Sequence, residues 1–315
     1  MIKVIFNRVN KPNNKLIYYE KRFIPLLLVG TLATTLLVSC SREDNTAEQS
    51  ITTEALVSPS ASELLCSYVD QNWTFSSVLK TGLTTTADTN FMNTQVQKNA
   101  SLWGLSTPTL RFVDDPSNPS STYNAISYST GKIYYGYAIY QDAKTKSSDN
   151  IVNAMILAHE YGHQLQYKYN IPSVQESTAR SSELEADGFA GYYLRRPAGF
   201  NKTDFSQIAA AYEFAASIGD NQVNNPNHHG TSPQRRAAVR LGFLLGQYSL
   251  TATGFDSNFF YYYSNVLNGQ DPALKPSASN FQVNPEIDKT IRAHMAELKK
   301  IASGEISAEE FKNLN

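Results

Sequence analysis

Two cysteines in 315 residues, Cys40 and Cys66, are too few for a disulfide framework. A surplus of one charge is lacking too: 27 Lys and Arg stand against 28 Asp and Glu, so no global basic excess offers itself to nucleic acid. Charged residues are only 17% of the chain, while 41% are apolar and 11% aromatic, a balance that excludes wholesale disorder. No segment repeats at a fixed period, which excludes a solenoid. Histidine is scarce at five, so two of them in one short motif carry information.

The charge balance hides an uneven distribution. Residues 1–39 hold Lys3, Arg8, Lys11, Lys15, Lys21 and Arg22 against Glu20 alone, leaving a body with 21 basic and 27 acidic side chains. A phosphate-binding surface is thereby disfavoured further. The basic start precedes an apolar run, Phe23 to Val38, and then polar SREDNTAEQS, the layout of a secretory signal. The run is shorter than the roughly 20 residues of a bilayer span and contains Pro25 and Gly30. A spanning anchor stays as the alternative, since Thr and flanking residues can extend it. Leu37-Val38-Ser39-Cys40 resembles the lipobox of bacterial lipoproteins. That resemblance implies a signal peptide over 1–39, lipidation of Cys40 as the mature N-terminus, and a protein anchored to the membrane of the cell envelope without crossing it. Ser41 after the cysteine points to the outer membrane. Residues 40–60, rich in Ser, Thr and acids, read as a tether, and 61–315 as one domain. If Cys40 is acylated, Cys66 has no partner in the chain, and its setting in ELLCSYV reads as a small buried apolar group.

Along the body, helices are expected near Ser62–Gln71 and over Asn90–Leu102, with a strand at Thr109–Val113. Ala125–Tyr128 and Lys132–Tyr140 flank Ser129-Thr130-Gly131 and read as a β-hairpin. A helix capped by Ser148, Asp149 or Asn150 runs to about Tyr169 and ends before Pro172, and a second spans Thr178–Arg195. Ser206–Ser217 gives a third. Ser232-Pro233 opens a fourth as N-cap and first-turn proline, running to about Gly246. Phe259–Leu267 and Glu286–Ile301 complete the set. The predicted fold class is mainly α with a small antiparallel β element, α+β, in a single domain.

In the first of the four central helices stands His159-Glu160-Tyr161-Gly162-His163. Residues four apart differ by about 40° around a helix and about 6 Å along it, so both imidazoles can face one ion. Glu160, turned about 100° from His159, is placed to act on water at that ion as a general base. A zinc site of this kind needs a third protein ligand, and the next helix carries Glu183-Leu184-Glu185-Ala186-Asp187. Glu183 and Asp187 share a face: if Glu183 ligates, Asp187 can take the free ring N–H of a ligand histidine. Glu185 faces elsewhere and reads as a solvated acid. The competing reading is a charged helix face paired with Arg180, Arg195 or Arg196. Gly162 costs a helix about 1 kcal/mol relative to Ala, and close approach of the second helix or of metal-held water explains it. Gly188 and Gly191 invite the same explanation.

Taken in order, HEYGHQLQ, ELEADGFAG, AASIGDN and HGTSPQR resemble the motifs of the predicted neutral zinc metallopeptidase family, within the thermolysin-like class, over roughly Tyr123–Gly242. The segment YSTGKIYYGYAIY is similar to that family's strand before the metal helix. The resemblance implies a zincin-like domain with zinc (Zn2+) between two helices, His159, His163 and Glu183 as ligands, Glu160 as base and Asp187 as the acid behind a ligand. It also implies that His229 lies near the site as a hydrogen-bond donor to the oxyanion, a role for which His228 competes. Gly219-Asp220-Asn221 and Gln234-Arg235 read as structural. The chain departs from the family at Ser129 and Gly188, where many members have cysteine. The function so implied is zinc-dependent endopeptidase action on protein or peptide substrates outside the cytoplasm, with no nucleic-acid partner. By analogy with related folds, the peptide lies along Lys132–Tyr140 as an edge strand, where Tyr134, Tyr135, Tyr137 and Tyr140 line the cleft or simply pack. Two other readings stand beside it: a catalytically idle, zinc-retaining lipoprotein that binds envelope proteins or peptides, and a structural envelope protein without metal.

Overall fold

The computed structural model describes residues 65–69, 73–267 and 281–314. The signal segment 1–39, Cys40 and the tether 40–60 lie outside the described residues.

Among those described, the strands are β1 (Leu65–Ser67), β2 (Val78–Lys80), β3 (Thr109–Asp114), β4 (Ala125–Tyr128) and β5 (Lys132–Gly136). The helices are α1 (Thr86–Trp103), α2 (Tyr137–Thr145), α3 (Ile151–Tyr169), α4 (Arg180–Arg195), α5 (Ala209–Ser217), α6 (Ser232–Leu245), α7 (Ala252–Val266), α8 (Pro285–Ala293), α9 (Met295–Ser303) and α10 (Ala308–Lys312). The class is α+β, mostly helical with one small sheet.

The β4–β5 hairpin forms as expected, with Tyr128 opposite Lys132 and Gly131 supplying the left-handed φ of 78° that its turn requires. The sheet around it is not purely antiparallel. Its order is β1-β4-β5-β3-β2, and β3 runs parallel to β5, so the β element is mixed. β4 has taken one edge of β5, and β3 takes the other in the same direction. β5 is therefore central, and the expected edge strand over Lys132–Tyr140 is corrected: no peptide can pair along it. Tyr135 and Tyr140 are core side chains, and Tyr134 packs on Tyr128.

Two further expectations change. The helix expected from Ser62 is, in its described part, the strand β1, because Cys66 pairs with Ser127 of β4. A short apolar stretch fits either state, and the distant partner chose. Likewise Tyr137–Tyr140 turns helical. A Cβ at Gly136 would sit 1.7 Å from the Thr122 carbonyl oxygen, so the chain passes Thr122 too closely to pair on, and Thr122 Oγ1 then accepts from Ala138 N–H in the first turn of α2. The expected final helix is two, α8 and α9, parted at His294. The cap of α6 is Thr231, whose side chain and Gln234 close a capping box, with Pro233 in the first turn.

Helix α3 is buried on nearly every side. Ser127, Ile133 and Tyr135 of the sheet face it, and Gln164 donates to Ser127 Oγ and the Tyr128 carbonyl. On its other side α4 passes close enough that a Cβ at Gly162 would stand 3.1 Å from Ala186 Cα. The expected close approach of the second helix is what Gly162 serves. Gly188 and Gly191 serve a different contact, against α6 and α7: a Cβ at Gly191 would meet the Val239 carbonyl oxygen at 2.2 Å, and one at Gly188 would meet Phe259. The layers sheet, α3, α4 and α6 thus fix the two helices that carry the site.

Candidate metal centre

His159 and His163 reach the same point from α3, and Glu183 reaches it from the first turn of α4. His159 Nε2 lies 3.1 Å from His163 Nε2 and 3.3 Å from Glu183 Oε2, while His163 Nε2 lies 3.5 Å from Glu183 Oε1. Ligands at roughly 2.0–2.1 Å from a tetrahedral ion are about 3.3 Å apart, so the two nitrogens and the Glu183 carboxylate already stand at ligand spacing.

The partners of the opposite ring nitrogens set what those atoms are. His159 Nδ1 is 2.9 Å from Asp187 Oδ1, and a carboxylate can only accept. His163 Nδ1 is 2.7 Å from Gln166 Oε1, whose amide nitrogen donates to the Ser182 carbonyl. Both rings therefore carry hydrogen on Nδ1, which leaves Nε2 as the atom of each that can bind a cation. Two imidazoles and a carboxylate facing one another out of water are a donor set that could hold a metal ion. Glu183 Oε2 has no hydrogen-bond donor.

The electrostatics divide the two rings. Burial lowers the basicity of His159, but Asp187 and Glu183 outweigh it and lift the ring to about 9. Burial dominates at His163 and brings it down to about 4. At Glu183 burial is overcome by the charges of His163, His229 and His159, which hold the carboxyl well below its usual range. Glu160 differs: burial pushes it up to about 8, and neither of its oxygens has a hydrogen-bond partner among the described residues.

Asp187 stands behind His159 as expected, but it is also gripped by Arg235 through bonds of 2.7 and 2.8 Å. Burial alone would raise Asp187; Arg235 and His159 hold it below the usual value. Arg235 was expected to be structural in the loop and fourth helix, and is instead wholly buried at the centre, its guanidinium 5.3 Å from the Tyr68 ring. Tyr68 in turn meets His159 edge to face at 4.9 Å. Gln234 and Asp220 keep their structural roles, Gln234 in the α6 cap and Asp220 accepting from His229 N–H. His228 and His229 part ways. His228 is buried with Nδ1 2.6 Å from Asp220 Oδ1, while His229 keeps part of its ring exposed and lines the neighbouring cavity.

Glu185 is not a solvated acid. It is fully buried, accepts from Gln166 at 2.9 Å and lies beside Asp256, and burial and that neighbour hold its carboxyl well above the usual range. The charged-face alternative for α4 fails at Glu183, because Arg180 pairs with Glu176.

The Cys66 sulfur, a His163 nitrogen and a Glu183 oxygen lie within 4.8 Å of one another, a buried group that could hold a metal ion. Cys66 is buried, as expected. The Nε2 of His159 faces the same point and joins His163 and Glu183 in a set of two imidazoles and one carboxylate. Gln166, Arg235 and Tyr68 were not anticipated. Gln166 was within reach, three residues after His163 on the same helix face; Arg235 lies 48 residues beyond Asp187, with no local signal linking them.

A cavity of about 190 Å3 is bounded by Tyr68, whose ring packs on His159, and by Val69, Ile218, Asp220, His228 and His229 among others. His159, Glu160 and His163 themselves are fully buried. No protein-family profile, curated protein or solved structure matches this chain.

Proposed function

We propose that this chain is a zinc-dependent endopeptidase, resembling the predicted neutral zinc metallopeptidases, held outside the cytoplasm by lipid on Cys40. The observation that carries the reading is the convergence of His159 Nε2 and His163 Nε2, 3.1 Å apart, on the two Glu183 oxygens, 3.3 and 3.5 Å from them, beside a carboxylate, Glu160, with no hydrogen-bond partner among the described residues. Nitrogen and carboxylate donors in a three-ligand set suit zinc in its catalytic form. Zinc bound there supplies Lewis acidity, polarising a peptide carbonyl and acidifying water. Glu160, poised near neutrality, takes a proton from water and returns it to the leaving amine. Asp187 and Gln166 keep the imidazoles turned to the ion, and Arg235 neutralises the acid behind His159. His229 is the donor available to the carbonyl oxygen as negative charge gathers on it.

Exposure of a peptide library to wild type and to Glu160→Gln tests the assignment. Cleavage by the first and not by the second, with equal zinc content, supports it; equal turnover by both removes Glu160 as the base. The full burial of His159, Glu160 and His163 favours a second reading, a zinc-retaining lipoprotein that binds envelope proteins or peptides without cutting them. Zinc retention with no cleavage of any library member by wild type selects that one.

A further inference from the structure

Gln166 ties one candidate ligand to a second helix. Its amide nitrogen donates to the Ser182 carbonyl at 2.8 Å and to Glu185 Oε2 at 2.9 Å, and its oxygen stands 2.7 Å from His163 Nδ1. The orientation matters chemically. Turned by half a rotation, the amide would offer hydrogen to Nδ1, and His163 would have to carry its own proton on Nε2, where a metal must bind. Two acceptors on the nitrogen side oppose that rotation, and both come from α4. The Ser182 carbonyl belongs to the backbone and cannot be tuned by sequence. Glu185 is the side chain that can.

Glu185 is fully buried and pairs with no cation among the described residues, and Gln166 is 5% exposed. A buried acid that touches neither substrate space nor an opposite charge is a standing cost to the fold, which calls for a role. Asp256 of α7 lies beside it and accepts from the Ser173 N–H at 2.7 Å, so the pair also joins α4 to α7 and to the loop after α3. We propose that Glu185 is a positioning residue for metal uptake: by holding the Gln166 amide in one orientation, it keeps His163 in the tautomer whose Nε2 is free to bind a cation. The proposal rests on the metal reading given above.

The test uses the full-length chain and three forms of it: wild type, Glu185→Gln and Glu185→Met. Glutamine retains an acceptor oxygen toward Gln166; methionine fills similar space without one. Zinc affinity is measured by competition with a chelator, and the ring tautomer of His163 by long-range proton–nitrogen spectra of the metal-free protein. The expected result is Nδ1–H at His163 in wild type, zinc affinity about 10–100-fold weaker in Glu185→Met with a mixture of tautomers, and recovery of both in Glu185→Gln. A role confined to packing would leave the tautomer unmoved. Wild-type affinity and a pure Nδ1–H ring in Glu185→Met overturn the proposal alone. Nε2–H at His163 in wild type overturns it even if the methionine variant does not fold. No zinc uptake by wild type overturns the metal reading, and this proposal with it.

Discussion

Arg235 of α6 holds Asp187 of α4 through two hydrogen bonds of 2.7 and 2.8 Å, with both side chains wholly out of water. Since Asp187 also accepts from His159, the charge that orients a candidate ligand is itself balanced by a helix 48 residues away in sequence. Removing one partner of a buried pair strands the other, at a typical cost of about 3–5 kcal/mol. Arg235→Met is expected to lose stability on that scale in urea unfolding, and to bind zinc more weakly because Asp187 becomes easier to protonate. A loss below about 1 kcal/mol would contradict the pairing.

Metal removal provides a second check. Dialysis against a chelator is expected to lower the melting temperature of wild type, and zinc to restore it. At free zinc a hundredfold above Kd, the gain is about 2.7 kcal/mol. His163→Ala is expected to melt at the same temperature with and without chelator.

The α4–α6 contact depends on an absent methyl group. A Cβ at Gly242 would lie 1.9 Å from the Gly188 carbonyl oxygen, with backbone on both sides and nowhere to move. Gly242→Ala is expected to destabilise by about 3 kcal/mol or more, as overpacking does at its severe end. Gly104→Ala, at φ 67° with open space around it, serves as the comparison and is expected to lose about 1–2 kcal/mol from backbone strain alone. Equal losses in calorimetry would remove the packing argument.

Acid sensitivity is expected from Asp115, which accepts from the hydroxyls of Thr74, Ser76 and Ser121 and from the Ser117 and Asn118 N–H groups. The Thr74 hydroxyl contributes most to holding the carboxyl well below its usual range, against burial, with the other donors adding to it. A carboxyl depressed in the folded state adds stability that is complete above the unfolded value of about 3.9 and is lost as pH falls through the folded value. Asp115→Asn should therefore flatten the fall in urea midpoint below about pH 4. An unchanged slope would show that other carboxyls carry it.

Several features were legible because their physics is local. The start of α3 just after the polar stretch Ser148–Asn150, its end before Pro172, and the hairpin turn at Gly131 follow from single-residue preferences. The shared face of His159 and His163 follows from helix geometry, as does the return of α4 bearing Glu183. Glu185 was misread because a charged residue in an amphipathic pattern defaults to solvent, and its covering residue, Asp256, comes from α7. β1 was misread because ELLCSYV suits helix or strand equally.

By itself the sequence determined the helical and hairpin periodicities, the caps, and the grouping of two histidines and a following glutamate, all set by contacts within a few turns of chain. The tertiary structure alone decided that β5 is the middle of a mixed sheet, that Arg235 closes on Asp187, and that Gln166 is fixed from α4. Those outcomes depend on which distant surfaces exclude water from one another, and no local preference encodes that choice.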